Sequence, residues 1–335
     1  METSTTPFYH DNATTASGQH GSNKYVGIAK SLHTMSLIVS CLAFILGVLG
    51  NGVVIWVIRF KVKKTVNTVW FLNLAVADFL FTAFLPFFVT YVALDFHWPF
   101  GNFMCKLTST VTFLNMFASV YILVVISVDR CVSVVWPVWA QNHRNVRRAS
   151  CVILGVWVLA LILSAPYFIF RDTGLYHRNE SINIICTDNF APSYDNGTSV
   201  GQFRHQAMTI TRFLLGFVVP FTIVSCYAVI THRLKRSRTS QSSRSFKIIA
   251  AVITTFFLCW VPYHIMSLIE MVHFTGGESE TLQHVIAISM PIAKSLAFLN
   301  SCLNPLLYVF MGQDFKDKVC KSILNAFETP FQGEE

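Results

Sequence analysis

CKLTSTVTFLNMFASVYILVVISVDRCVSVVW, residues 105–136, is an unbroken apolar segment that opens on a cysteine and runs past the charged pair Asp129 and Arg130. At roughly 1.5 Å per helical residue it is longer than the ~30 Å hydrocarbon core of a bilayer, so a spanning helix here must tilt or protrude. Helical spacing places Ser109, Thr112, Phe113 and Met116 on one face, with Ser119 deeper along it. One helix therefore joins two membrane surfaces and can touch many neighbours.

Six further apolar runs surround it, at about 31–58, 66–94, 150–170, 208–230, 246–272 and 282–310, with the central one at 103–135. Of the 335 residues, 53% are hydrophobic and 13% charged, which places the chain outside the range of soluble domains. The expected fold is an all-α membrane protein, a bundle of seven transmembrane helices. Phe315, Val319, Ile323 and Phe327 recur between Lys316, Asp317, Lys318 and Lys321, the pattern of a short amphipathic eighth helix lying in the interface. The predicted organisation is an extracellular glycosylated tail over 1–30, the bundle over 31–311, helix eight over 312–328 and a short cytoplasmic tail over 329–335.

Loop charge sets the orientation, because Lys and Arg accumulate on the cytoplasmic side. Arg59, Lys61, Lys63 and Lys64 fall in the first loop on one side; Arg130, Arg144, Arg147 and Arg148 at the second; six more between Arg233 and Lys247; and Lys316, Lys318 and Lys321 after the last span. The other side holds six. The amino terminus is thus expected outside, at the plasma membrane. The net charge of +8 then faces anionic inner-leaflet lipid and cytoplasmic partners, and no nucleic acid is expected. Sequons at Asn12, Asn179 and Asn196 all fall outside on this topology and predict glycosylation. Cys105 and Cys186 share that oxidising side, predicting a disulfide, while Cys320, just inside the membrane, is a palmitoylation candidate.

Asp78 lies deep in span two, where a carboxylate is costly enough to imply an ion or a polar network. Arg212 and Lys294 lie inside spans five and seven. Pro220 and Pro262 interrupt the hydrogen-bond ladders of spans five and six. The sequence shows no metal-ligand spacing, phosphate loop or nucleophile motif, so neither an enzyme nor a cofactor is expected.

Asn51, Asp78, Cys105, Asp129-Arg130, Trp157, Cys186, Pro220, CWVP at 259–262 and NPLLY at 304–308, taken in this order, resemble the rhodopsin-like (class A) G-protein-coupled receptors. Within that family, KKTV at 63–66, WFLNLAVAD at 70–78, HWPFG at 97–101, PVWAQNHR at 137–144 and MGQDF at 311–315 look like the chemoattractant receptors, nearest the chemerin and formyl-peptide receptors. FLNMFAS at 113–119, WAQNHR at 139–144 and PYFIFRDT at 166–173 also look like the chemoattractant-type prostaglandin D2 receptor. Formyl-peptide receptors use an acid on helix three and two arginines on helix five; the matching positions are Phe113, Met208 and Arg212, which argues against formyl-peptide recognition.

The resemblance implies a ligand cavity between helices three, five, six and seven. Arg212 and Lys294 are expected to receive a ligand carboxylate there, with Tyr263, His264, Trp260 and Phe113 around its apolar part; Met116, Ser109, Arg171 and Glu270 complete the expected set. The plain structural alternative is snorkelling, or pairing of a cation with Glu270. Both a peptide C-terminus and a lipid acid fit. Asp78, Ser119, Asn300, Ser301 and Asn304 resemble the family's allosteric sodium network. Asp129, Arg130, Tyr227, Pro262, Asn304, Pro305 and Tyr308 resemble its switch and G-protein cleft, and chemoattractant relatives couple mainly to the inhibitory class. Only Ser322 and Thr329 carry hydroxyls after Tyr308, so arrestin would depend on third-loop hydroxyls such as Ser237, Thr239 and Ser240. An opsin-like photoreceptor is disfavoured, since the opsin lysine falls at Phe298, and an ion transporter rests on intramembrane charge alone.

Overall fold

The computed structural model describes residues 19–178, 181–190, 197–236, 243–276 and 280–311. Helices α1 (Gln19–Phe60), α2 (Val66–Ala93) and α3 (Gly101–Val135) precede a short α4 (Pro137–His143) and then α5 (Val146–Phe170). A hairpin follows, β1 (Arg171–Arg178) with β2 (Ser181–Asp188). Next come α6 (Gly197–Phe213), a π-helical turn (Leu214–Val218) and α7 (Val219–Arg236), which together form the fifth span, and finally α8 (Ser243–Gly276) and α9 (Glu280–Met311). Seven of these segments are long and apolar enough to cross a membrane, and their limits fall within a few residues of those expected except at span five, which starts at Val200. Helix eight, Cys320 and the three sequons lie outside the described residues. The first helix begins at Gln19, inside the stretch expected to be a tail.

The segment α3 is the hub, packing against α2, α4, α5, α7, α8 and β1. Met116, Phe117, Val120, Ile122, Leu123 and Ile126 on it are fully or almost fully buried and join one core with Leu74 of α2, Phe256 and Trp260 of α8 and Ala297 of α9. By contrast α5 exposes Leu154, Leu161 and Ile162, the outward apolar face expected of a helix in lipid.

One feature exceeds the all-helical expectation, and a second is the bulge or kink expected near Pro220. The hairpin pairs antiparallel in a register that sets Arg171 opposite Asp188, and Cys186 on β2 is disulfide-bonded to Cys105 at the start of α3, as the topology predicts. Ile184 O accepts from Trp98 N–H at 2.7 Å, which ties the same strand to the α2–α3 loop. In that loop Asp95 and Phe96 adopt φ of 50° and 63°, a left-handed conformation unusual for side chains with a Cβ. Phe96 is held there by its N–H to Tyr91 O at 2.9 Å and by edge contacts with His33 and Tyr91. The second feature is the π-turn, which ends next to Pro220, where a backbone donor is missing.

Close helix approach depends on small residues. A Cβ at Gly47 would collide with Thr82 Cγ2 and stand 2.8 Å from Thr82 Cβ, and β-branched Thr82 is stiff. At Gly216 the obstacle is Met116 Cε at 2.9 Å, the free end of a flexible chain. Overpacking costs about 1–3 kcal/mol. Thermal unfolding of purified protein should therefore show a lowered midpoint for Gly47→Ala, a partial recovery on adding Thr82→Ala, and a smaller loss for Gly216→Ala.

Candidate functional site

At the hairpin end of the bundle, Arg212 of α6 lies with its guanidinium carbon 5.3 Å from the ring centroids of both Phe113 and Tyr263. Cations are attracted to aromatic faces, so this is a favourable seat for a charge inside a span. Phe113 is in turn stacked on Tyr167 of α5, centroids 3.6 Å apart and planes 19° apart. Tyr167 also interacts directly with Arg212. The Arg212 Nε is buried without a hydrogen-bond partner.

Lys294 on α9 is exposed, and the charges that act on it are those of Glu270, Arg171, Asp188 and Arg212. Glu270 is half-buried and makes no ion pair with Lys294 among the described residues. Arg212, Arg171, Glu270 and Asp188 therefore lie within electrostatic reach of Lys294. Beneath them Trp260 meets Tyr263 edge-on at 5.7 Å, and His264 is wrapped by Phe213, Phe217, Trp260 and Tyr263. The Trp260 indole N–H and both His264 ring nitrogens are buried and unpartnered.

Two expected members are engaged elsewhere. Met116 is fully buried and packs under Gly216, so it belongs to the core rather than to a cavity wall. Arg171 is already engaged: its Nη1 lies 2.8 Å from Asp188 Oδ1 and its Nη2 donates to Cys186 O at 3.2 Å. Burial opposes its charge, but Asp188 more than offsets this and the guanidinium titrates above its ordinary value. Ser109 is half-buried on α3. Sequence reasoning missed Asp188 and Tyr167. Asp188 stands two strand positions from Cys186, a signal usable only once the hairpin is known.

Midway along the bundle Asp78 is fully buried, and Asn304 Nδ2 donates to its Oδ2 at 2.7 Å. Asn115, missed by the sequence although it lies one helical turn from Ser119, fits with its amide oxygen accepting from Ser301 Oγ at 2.9 Å. Its nitrogen then lies 3.2 Å from Asp78 Oδ1, Ala77 O and Ser119 Oγ. Asn51 of α1 donates to Ser301 O at 2.8 Å. The Asn300 and Asn304 amide oxygens are buried and unpartnered. This is a set of oxygen donors around one carboxylate, the chemistry a small hard cation takes.

At the opposite end Arg130 Nη2 lies 3.0 Å from Asp129 Oδ2, while Arg144 holds the same carboxylate through Nε at 2.7 Å and Nη2 at 2.9 Å. Asn67 Oδ1, at the start of α2, accepts from both arginines. The sequence did not single out Asn67, and named Arg144 only for its charge and as the last residue of a family motif. Tyr227 is half-buried on α7, whereas Tyr308 has a side chain outside the described residues.

This layout carries a disulfide-pinned hairpin over one end, a buried carboxylate at mid-height and an Asp–Arg pair at the other end. The family model "7 transmembrane receptor (rhodopsin family)" matches residues 50–308. The chain belongs to the rhodopsin family of seven-transmembrane receptors. The receptor is 49% identical to human chemerin-like receptor 1 over 290 residues, covering 84% of this chain and 75% of the relative. It is 46% identical to the zebrafish C3a anaphylatoxin chemotactic receptor, covering 91% and 80%, and 42% identical to mouse formyl peptide receptor 2, covering 90% and 86%. It is a multi-pass plasma-membrane receptor of the chemoattractant type.

The Arg171–Asp188 pair is partly solvated, with 27% and 35% of the two side chains exposed, and such pairs contribute about 0.2–1 kcal/mol. A double-mutant cycle of Arg171→Ala and Asp188→Ala on thermal stability should give a coupling within that range. A larger value would mean that the pair, rather than the disulfide, holds the hairpin.

Proposed function

We propose that the receptor recognises an extracellular ligand bearing a carboxylate, foremost a peptide with a free C-terminus as in chemerin, and passes the signal to a heterotrimeric G protein of the inhibitory class. The observation that carries this reading is the Arg212 guanidinium between Phe113 and Tyr263. It is charged, positioned by aromatic faces, has a nitrogen without a partner, and stands near an exposed Lys294. A guanidinium so held can meet a carboxylate by two parallel hydrogen bonds, while Lys294 adds a second positive charge. The aromatic floor then takes the adjoining apolar side chain of the ligand.

Ligand contact with Tyr263 would reach Trp260 through their edge contact and bias α8, whose ladder is interrupted at Pro262, toward a second packing. At the inner end Arg130 would leave Asp129 to face the G protein, with Tyr227 and Tyr308 beside it. The cluster around Asp78 fits sodium, which when bound supplies positive charge to the carboxylate and favours the packing in which Asn115, Ser301 and Asn304 converge. The amino terminus lies outside on this reading.

The test is inhibition of cyclic AMP in cells challenged in parallel with chemerin C-terminal peptides and prostaglandin D2. A peptide response is expected. Losing one partner of a buried charge pair costs roughly 2 kcal/mol or more, about thirtyfold, so Arg212→Ala should raise the required peptide concentration by at least that factor. An unchanged concentration dependence would overturn the carboxylate reading, and a response to prostaglandin D2 alone would replace the peptide with a lipid acid. Asp78→Asn should abolish the effect of added sodium on agonist affinity; an undiminished sodium effect would contradict that site.

A further inference from the structure

Asp129 holds two arginines, and their grips differ. Arg144 engages both carboxylate oxygens, Nε on Oδ1 at 2.7 Å and Nη2 on Oδ2 at 2.9 Å, whereas Arg130 reaches only Oδ2 through one nitrogen at 3.0 Å. Two-point guanidinium–carboxylate contacts are the stronger kind and fix orientation as well.

The backbone on both sides of Arg144 is pinned. Its N–H donates to Ala140 O at 2.9 Å, closing the end of α4. The next residue, Asn145, caps α5 by accepting from Arg148 N–H at 2.9 Å, and Arg148 Nη1 donates back to His143 O at 3.1 Å. Arg144 is thus presented from the α4–α5 connection, at the end of a short helix that itself packs on α3. Arg130, by contrast, rides on α3 itself. Both guanidinium groups also reach Asn67 Oδ1, which draws them together. Two cations around one carboxylate leave an excess positive charge, and Arg144 acts on Arg130 repulsively.

We propose that Arg144 is a positioning residue for G-protein coupling: it keeps Asp129 compensated by itself, so that Arg130 is free to leave the carboxylate and face the G protein. Asp129 is only 12% exposed, and a carboxylate in such a place left without any partner is strongly disfavoured. With Arg144 retained, departure of Arg130 breaks its contacts with Asp129 and Asn67 but leaves the carboxylate paired and relieves a repulsion. The alternative is a clamp, in which Arg144, Asp129, Arg130 and Asn67 together hold the resting packing. The two readings predict opposite signs.

The experiment is agonist-free nucleotide exchange by the full-length receptor in membranes, with the G-protein class that the wild type turns over fastest, at matched surface amounts. The positioning role predicts that Arg144→Gln lowers basal exchange about tenfold, equivalent to roughly 1.4 kcal/mol in a two-state equilibrium. Arg144→Lys, which keeps the charge and loses the two-point contact, should fall between, and it carries the test if the glutamine variant fails to reach the surface. In an Asp129→Asn background, where no carboxylate needs compensation, Arg144→Gln should change nothing further. Raised basal exchange in Arg144→Gln would overturn the proposal in favour of a clamp. An equal loss in the Asp129→Asn background would overturn it in favour of direct contact between Arg144 and the G protein. Because no agonist is present, the outcome does not depend on which ligand the receptor takes.

Discussion

A carboxylate in the middle of a membrane protein cannot be solvated by lipid, and every helix near Asp78 is placed accordingly. Burial of this kind is costly unless hydrogen bonds meet the group. Here they come from Asn304 on α9 and Asn115 on α3, while Asn51 on α1 takes up the Ser301 carbonyl of the neighbouring turn. Four helices are thereby pinned at one height. The apolar core packs around that point, but apolar contacts alone do not distinguish one rotation of a helix from another in lipid, where the solvent is as apolar as the side chains. The polar cluster supplies that distinction, and its unpartnered amide oxygens leave it open to a cation.

The two ends of the bundle use charge differently. At the hairpin end Arg212 faces aromatic rings and makes no ion pair among the described residues, so its charge is not matched by a carboxylate in contact. At the other end the arginines are consumed by Asp129 and Asn67, so their charge is released only when the packing changes. α3 carries a member of both clusters in Phe113 and Arg130. On the proposed function, that continuity offers a physical route for coupling the two ends through two packings of one helix bundle.

The seven spans were legible because bilayer thickness imposes a length that composition reveals, and the ordered motifs made the family legible as well. Single intramembrane charges were equally clear: Asp78, Arg212 and Lys294 stand out against apolar neighbours, and all three lie in the clusters described. Harder to read were partners whose residue type is ordinary. Asn115, Asn67 and Tyr167 gain their roles from what another helix brings against them, and helical periodicity says which face a residue is on without saying what faces it. The hairpin escaped for a related reason, since SINIICTD at 181–188 alternates like a strand but is short, and its partner strand RDTGLYHR has little apolar pattern of its own. Arg171 was expected in the ligand cavity, and its pairing with the cross-strand neighbour Asp188 becomes visible only with the register. Met116 was expected in the same cavity; the burial that the π-turn gives it, by bringing Gly216 over it, is likewise not legible in the sequence.

The proposed recognition rests on a hairpin end that receives an anion. Its most direct test is equilibrium binding of one peptide in two forms, the free C-terminal acid and the C-terminal amide, to the purified receptor without G protein. A guanidinium held as Arg212 is should favour the acid by about ten- to a hundredfold, the equivalent of roughly 1.4–2.8 kcal/mol for a charge-assisted contact made or lost. Equal affinity for the two forms would show that the terminal carboxylate goes unread and would contradict the account at its centre.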